Sequence, residues 1–164
     1  MRHLGLTLIA VVLAATLAGC NKSATAPPAE QPSTAGAPAP MSDADKAKAL
    51  AALPAPYNTA DLSNGESKFA LCSTCHTITP DGPNMTGPNL HGIFGRKAAS
   101  HPGFSYSDAL KGTGWTWDAA HIDTWITDPK ATLPGTKMTF AGLKDPKDRT
   151  DVIAYLMVMT GYKP

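Results

Sequence analysis

Two thiols and an imidazole occupy five consecutive positions, Cys72-Ser73-Thr74-Cys75-His76, in a chain that has three cysteines in all. Their surroundings limit what can fold. From Thr77 to Gly103 the sequence is dense in Gly, Pro and Asn and has no sustained apolar period, so it reads as a long ordered loop. A domain with that much loop buries little of its own surface and needs a staple. Cys72 and Cys75 offer one.

Several staples use two cysteines. A disulfide between these two has no use for His76, and a bridge over two intervening residues closes too small a loop to stabilise much by the entropic argument. Zinc needs one or two further ligands at coordinating spacing, and there is no second cysteine pair. A redox-active CxxC is usually hosted by a βαβ pattern, which is absent. Cys-x-x-Cys-His is the attachment signature of c-type haem: thiols about one helical turn apart reach the two vinyl groups on one porphyrin edge, and the next residue presents a nitrogen to iron. The reading is one covalent haem c held through Cys72 and Cys75, with His76 as the proximal ligand.

The sixth iron ligand is open among Met85, Met138, Met157, Met159, His91, His101 and His121. Met157 and Met159 fall in the last helix, where methionine on an apolar stripe is usually core packing. Met138 ends Leu133-Pro134-Gly135-Thr136-Lys137-Met138, a Pro-Gly turn that can swing a side chain back over a haem face.

The chain begins with Arg2 and His3, an apolar run from Leu4 to Ala18, then Gly19 and Cys20. That is the layout of an export signal, residues 1–19, and the run is shorter than the roughly 20 residues that span a bilayer. Residues 20–56 are a linker rich in Ala and Pro, reaching on the order of 100 Å if extended. Within it Ser42 to Leu53 fits a short helix, capped by Ser42, closed by Pro54 and weakly held because its apolar face is mostly alanine. The domain is residues 57–164.

Three helical signals follow the linker. Ser63-Asn64-Gly65-Glu66 fits a capping box that opens a helix carrying Phe69 into the CSTCH stretch. Thr116 can cap a helix with Ala119, Ile122, Trp125 and Ile126 at spacings of three and four, ending at Asp128-Pro129. The last helix has Asp145 as cap, Pro146 at its first position, a stripe of Val152, Leu156 and Met159 with Ile153 beside it, and Gly161 as a stop. The expected class is all-α: three to four helices and long loops, with no strand pair. Formal net charge is +1, so the basic field needed for non-specific nucleic-acid binding is missing.

Gly87-Pro88-Asn89-Leu90-His91-Gly92-Ile93-Phe94-Gly95-Arg96, Pro102-Gly103-Phe104-Ser105-Tyr106 and Pro134-Gly135-Thr136-Lys137-Met138-Thr139-Phe140-Ala141-Gly142 resemble the mitochondrial-type class I cytochromes c and their bacterial relatives. The likeness covers residues 57–164. It implies the cytochrome c fold, helices wrapped around one haem, with His76 and Met138 as axial ligands. It further implies that the Pro88 carbonyl accepts a hydrogen bond from the other nitrogen of His76, and that Arg96, Tyr106, Trp117 and Thr136 contact or neutralise the haem propionates. Gly65 and Phe69 match first-helix residues that pack on the last helix near Val152 and Tyr155. A chain with both axial positions filled is an electron carrier, not an enzyme.

Leu17-Ala18-Gly19-Cys20 resembles the lipobox of bacterial lipoproteins, so Cys20 is the expected lipid attachment site. Two or more acyl chains anchor stably where one does not. The expected location is the periplasmic face of a bacterial membrane; Asn21 lacks the aspartate that often signals inner-membrane retention, and inner and outer membrane both stay open.

The chain departs from the family pattern in places. Trp125 stands where a tyrosine is usual near the methionine sulfur, Leu110 where an asparagine often holds a water, and Leu71 and Met85 where mitochondrial members carry exposed lysines. Residues 57–164 hold ten Lys/Arg and ten Asp/Glu, so the family's basic ring is incomplete, although Lys130, Lys137 and Lys144 match part of its docking face. The expected partners are a quinol-cytochrome c reductase and a terminal oxidase, or a periplasmic reductase or peroxidase. The protein is expected to act as a monomer, with no nucleic-acid partner.

Overall fold

In the computed structural model, which describes residues 40–163, the chain follows six α-helices: α1 (Asp43–Ala51), α2 (Leu62–Ser73), α3 (Asp108–Lys111), α4 (Ala119–Thr127), α5 (Pro129–Thr132) and α6 (Pro146–Met159). A 3₁₀ turn, Tyr57–Thr59, precedes α2. Among the described residues there is no strand, only an isolated antiparallel bridge between Lys97 and Thr116, so the class is all-α as expected. The signal segment, Cys20 and the linker up to residue 39 lie outside the described residues.

α6 is the axis of packing. Asp145 caps it by accepting from the Lys147 and Asp148 amides, with Pro146 at the first turn, as the sequence implies. Burial exceeds the expected stripe: every residue from Asp151 to Val158 is buried, and Ile153 and Ala154 have no exposed surface. Thr160 ends the helix and Gly161 leaves it at φ +78°.

α2 lies against α6. Phe69 and Tyr155 pack with ring centroids 5.5 Å apart. Gly65 faces the Asp151 carbonyl so closely that a Cβ there would overlap it and the Tyr155 Cβ. The two backbones approach because that position has no side chain.

The cap of α2 is Asp61, not Ser63. Its carboxylate accepts from the Ser63 and Asn64 amides, two residues earlier than the capping box implies. α4 likewise starts from Asp118, which accepts from the His121 amide, rather than from Thr116. Thr116 is spent on the bridge to Lys97. α4 buries Ile122 and Trp125 against α6, in line with its apolar spacing. α3 and α5 are single turns that periodicity does not reveal.

Ser42 caps α1 and the helix itself buries no residue, as its alanine-rich face implies. The segment is nevertheless packed: α1 and the 3₁₀ turn both lie on α6, and Leu53 is 7% exposed in the core. No helix among the described residues is long and apolar enough to cross a membrane.

Candidate functional site

α2 delivers the CSTCH stretch at its last turn. The Cys75 and His76 amides both donate to the Cys72 carbonyl at 3.0 Å, so the two thiols and the imidazole leave the chain within one turn. Both thiols are free. Burial, and secondarily Cys75, pushes the Cys72 thiol up to about 11. Cys72 is therefore a neutral thiol, unlike the activated thiolates of redox CxxC sites. Among the described residues no group of three or more His, Cys, Asp or Glu side chains is arranged to hold a metal ion.

The imidazole is held from behind. His76 Nδ1 lies 2.7 Å from the Pro88 carbonyl, and a carbonyl only accepts, so Nδ1 donates and Nε2 is left as the coordinating nitrogen. Burial lowers the pKa of the ring, against the Pro88 bond, which raises it. The ring is neutral, the form that can bind iron. Gly87 is buried against it, and a Cβ at Gly87 would overlap Cε1 and both ring nitrogens. The Gly87 amide donates to the Cys75 carbonyl at 2.8 Å, which pins this backing strip to the attachment turn. The donor set fits a covalent haem: two thiols, one oriented imidazole and a fixed backbone behind it.

Asn89 organises the loop behind the ring, and the sequence reading missed it. At 2% exposure its amide nitrogen donates to Thr77 Oγ1 (2.7 Å) and the Thr79 carbonyl (2.9 Å), while its oxygen accepts from the His91 amide (2.7 Å). Its own backbone amide goes to Asn84 Oδ1 at 2.9 Å. An asparagine inside Gly-Pro-Asn-Leu looks like an ordinary turn residue; only burial shows that it is the hub.

Arg96 is held by backbone carbonyls of the preceding loop. Its Nη1 donates to the His91 carbonyl at 3.1 Å and its Nη2 to the Asn89 carbonyl at 2.9 Å. The Trp117 amide donates to the Arg96 carbonyl at 2.9 Å, and Trp117 is 8% exposed within a cluster with Trp115 and Trp125. Tyr106 stacks edge-on with Phe104 at 4.8 Å; burial raises its pKa, and the nearby Arg96 lowers it. Leu110 is buried in the same core.

The remaining expected residues sit in the loop before α6. Thr136 Oγ1 accepts from the Met138 amide at 3.2 Å, and Lys137 Nζ donates to the Ser105 carbonyl at 3.1 Å, tying this loop to the segment that carries Tyr106. Met138 is half-buried against the core. The other candidate iron ligands are placed differently: Met157 is 2% exposed inside α6, Met85 is 47% exposed, His121 bonds Asp118 at 2.9 Å and His101 bonds Arg96 at 2.9 Å. Met159 is half-buried near the end of α6. His91 has a buried Nδ1 with no partner.

Of the three lysines that match a docking face, Lys130 is exposed, Lys137 is bonded to Ser105, and Lys144 to Asp128 and the Thr127 carbonyl. Leu71, 55% exposed, and Met85 flank the attachment turn as uncovered apolar side chains.

Comparison with known proteins bears on the same residues. The sequence model of the family described as Cytochrome c matches residues 62–160. Cytochrome c2 of Rhodomicrobium vannielii is 48% identical over 105 residues, 64% of this chain and 84% of that protein. Cytochrome c of Kluyveromyces lactis is 42% identical over 106 residues, 64% of this chain and 96% of that protein. Among solved structures, cytochrome cH from Methylobacterium extorquens matches with a TM-score of 0.55 at 47% identity, covering 58% of this chain and 96% of that one.

Proposed function

Because the chain belongs to the cytochrome c family as a class I member, we propose that it is a membrane-tethered shuttle passing single electrons from a quinol-cytochrome c reductase to a terminal oxidase. It is a monohaem electron carrier rather than an enzyme, with one haem c attached through a cysteine pair. Cys72 and Cys75 are the only cysteines within the matched residues 62–160. The cofactor supplies a one-electron Fe(III)/Fe(II) couple.

The chain's own residues set how that couple behaves. His76 and Met138 would hold the haem iron in this reading. The observation that carries it is the His76 Nδ1–Pro88 hydrogen bond, which fixes the ring and turns Nε2 outward. With the Met138 thioether and the His76 imidazole both holding it, the iron would favour Fe(II) and have a raised potential. Arg96, Tyr106, Trp117 and Thr136 serve the haem propionates, a role supported by the convergence of Arg96, Trp117 and Tyr106 and by the Lys137–Ser105 tie that draws in the Thr136 loop. Trp125, buried against Trp117, makes the surroundings drier than a tyrosine hydroxyl would.

The tether rests on the sequence: Leu17-Ala18-Gly19-Cys20 and the Ala/Pro-rich stretch after it support the reading of a lipid-bearing Cys20 on the periplasmic face. A flexible linker gives a partner in the same membrane an effective concentration of order mM. Electrostatic steering then contributes less to the on-rate.

Visible spectra of the haem-loaded protein test the ligand assignment. A sharp reduced α band, the long-wavelength methionine-to-ferric band and no shift under carbon monoxide are expected. Ready binding of carbon monoxide would remove Met138 as a firm ligand. Cys20→Ala should move the protein from the membrane to the soluble fraction, and an unchanged distribution would end the lipid anchor. Electron delivery to an oxidase-containing membrane should change little between low and physiological salt; a steep loss would count against the tethered mode.

A further inference from the structure

We propose that His101 is a redox-linked proton site: its neutral imidazole accepts a hydrogen bond from Arg96, and it takes up a proton when the bound haem accepts an electron. The inference rests on the assignment of Arg96 to the haem propionates made above. It concerns a residue that the proposed function leaves without a role.

The geometry starts from Arg96. Its guanidinium is fixed by two carbonyls, those of Asn89 and His91, and Nη1 also lies 2.9 Å from His101 Nδ1. A guanidinium stays protonated in proteins and has no acceptor atom. The contact therefore requires a lone pair on His101 Nδ1 and places the imidazole proton on Nε2. Protonating His101 puts hydrogens on both sides of a 2.9 Å contact and sets two cations against each other, so the bond to Arg96 must open. In keeping with this, burial first and Arg96 second hold His101 below its ordinary 6.5.

The surroundings leave Arg96 as the one charged partner acting on the ring. The Tyr106 phenol lies against Arg96 and the His101 backbone. From the loop on the other side the Asn84 amide reaches only the Pro102 carbonyl, at 3.0 Å, and His91 offers Arg96 its carbonyl. Lys97, next in sequence to Arg96, is exposed.

Arrival of one electron removes one positive charge from the haem that Arg96 serves. A cation beside Arg96 is then less disfavoured. The electron comes from the redox donor and the proton from solvent; His101 becomes an imidazolium and Arg96 Nη1 is released from it. The sign follows: proton affinity at His101 is higher in the reduced protein, and the midpoint potential rises as pH falls through the His101 titration, below about pH 6.5. We expect a roughly threefold difference in proton affinity between redox states, equal to about 28 mV for a one-electron couple.

The test uses the holoprotein. The His101 ring protons are titrated by NMR in the reduced and the oxidised states, and the midpoint potential is followed from pH 4.5 to 9 in wild type and His101→Gln, which keeps an acceptor for Arg96 but cannot titrate. Support is a His101 proton affinity at least threefold higher when reduced, with the low-pH rise in potential lost in H101Q. Equal affinities in the two states, or a rise that survives in H101Q, overturn the proposal. If H101Q does not mature, the wild-type NMR titration decides alone. A potential unmoved at every pH in Arg96→Lys overturns the propionate assignment and the coupling route with it, whereas a potential shifted by R96K with no redox-dependent His101 titration sinks only the His101 role.

Discussion

Where α2 meets α6, contact is between buried surfaces: Phe69 on Tyr155, Gly65 under the Asp151 carbonyl, and a run of α6 residues from Asp151 to Val158 without solvent. The loops beyond the attachment turn, residues 77–107 and 133–144, hold their shape by other means. Asn89, Arg96 and Lys137 bond backbone carbonyls from within, and Gly87 lets the backbone lie on the His76 ring. The helix pair is specified by packing and keeps its geometry wherever the apolar surface is buried. The loops are specified by a few polar contacts between side chains and backbone carbonyls.

Even the polar part of the helix pair serves packing. Asp151, 2% exposed, accepts from the Asp61 amide (3.0 Å), Asn64 Nδ2 (2.7 Å) and Lys147 Nζ (2.6 Å), joining the start of α2 to α6. Asn64 Nδ2 also reaches Asp148, which pairs with Lys68 at 2.8 Å. Every acceptor the buried carboxylate offers is in use, as a buried charge requires.

Four substitutions separate the two regions. Gly65→Val drives a side chain into the Asp151 carbonyl and Tyr155, and should cost roughly 4 kcal/mol in guanidinium unfolding of the holoprotein; a loss under about 1 kcal/mol would mean the helices do not meet there. Asp151→Ala strands the Asp61 amide, Asn64 and Lys147 and should cost about 3 kcal/mol while leaving the α band in place. Burial raises the pKa of Asp151, but the bonds from Lys147, Asn64 and the Asp61 amide outweigh it and hold the group below its ordinary 3.8. Its stabilisation is therefore present above pH 3.8 and lost as pH falls below it; acid unfolding of the variant should show a correspondingly weaker pH dependence in that range.

On the loop side the order of effects reverses. Gly87→Ala should cost only roughly 1 kcal/mol, since the loop can shift, yet it should change the haem spectrum and potential because the new methyl lands on the His76 ring. An unchanged spectrum would show that the backing strip does not orient the ring. On α2 itself, Leu71→Lys, at an exposed position beside Cys72, should alter stability by less than about 0.5 kcal/mol. Its effect should appear as a new salt dependence of electron transfer, measured against wild type at two ionic strengths.

The attachment signature, the Asp145-Pro146 start of α6 and the spacing in α4 could all be read in advance, because each depends on residues within one turn of one another. The caps that misread are instructive. Ser63 and Asp61 can each cap a helix, and so can Thr116 and Asp118. Asp61 leads, its own amide taken by Asp151, 90 positions away, while Thr116 sits in the bridge opposite Lys97, where the flanking Trp115 and Trp117 backbones bond Ala98 and Arg96, and Asp118 caps α4. Leu53 follows a helix with no buried face of its own, so nothing local reveals that it enters the core.

By itself the sequence determined the covalent chemistry: two thiols and an imidazole one turn apart at the end of a helix, which the chain keeps in any fold. Tertiary structure alone decided which nitrogen of His76 faces outward, that Asn89 and Asp151 are buried hubs, and that His101 rather than solvent receives the third contact of Arg96. The physical reason is range. Covalent spacing and helix caps are set within a few residues, whereas a buried polar group acquires its role only from partners that folding brings to it.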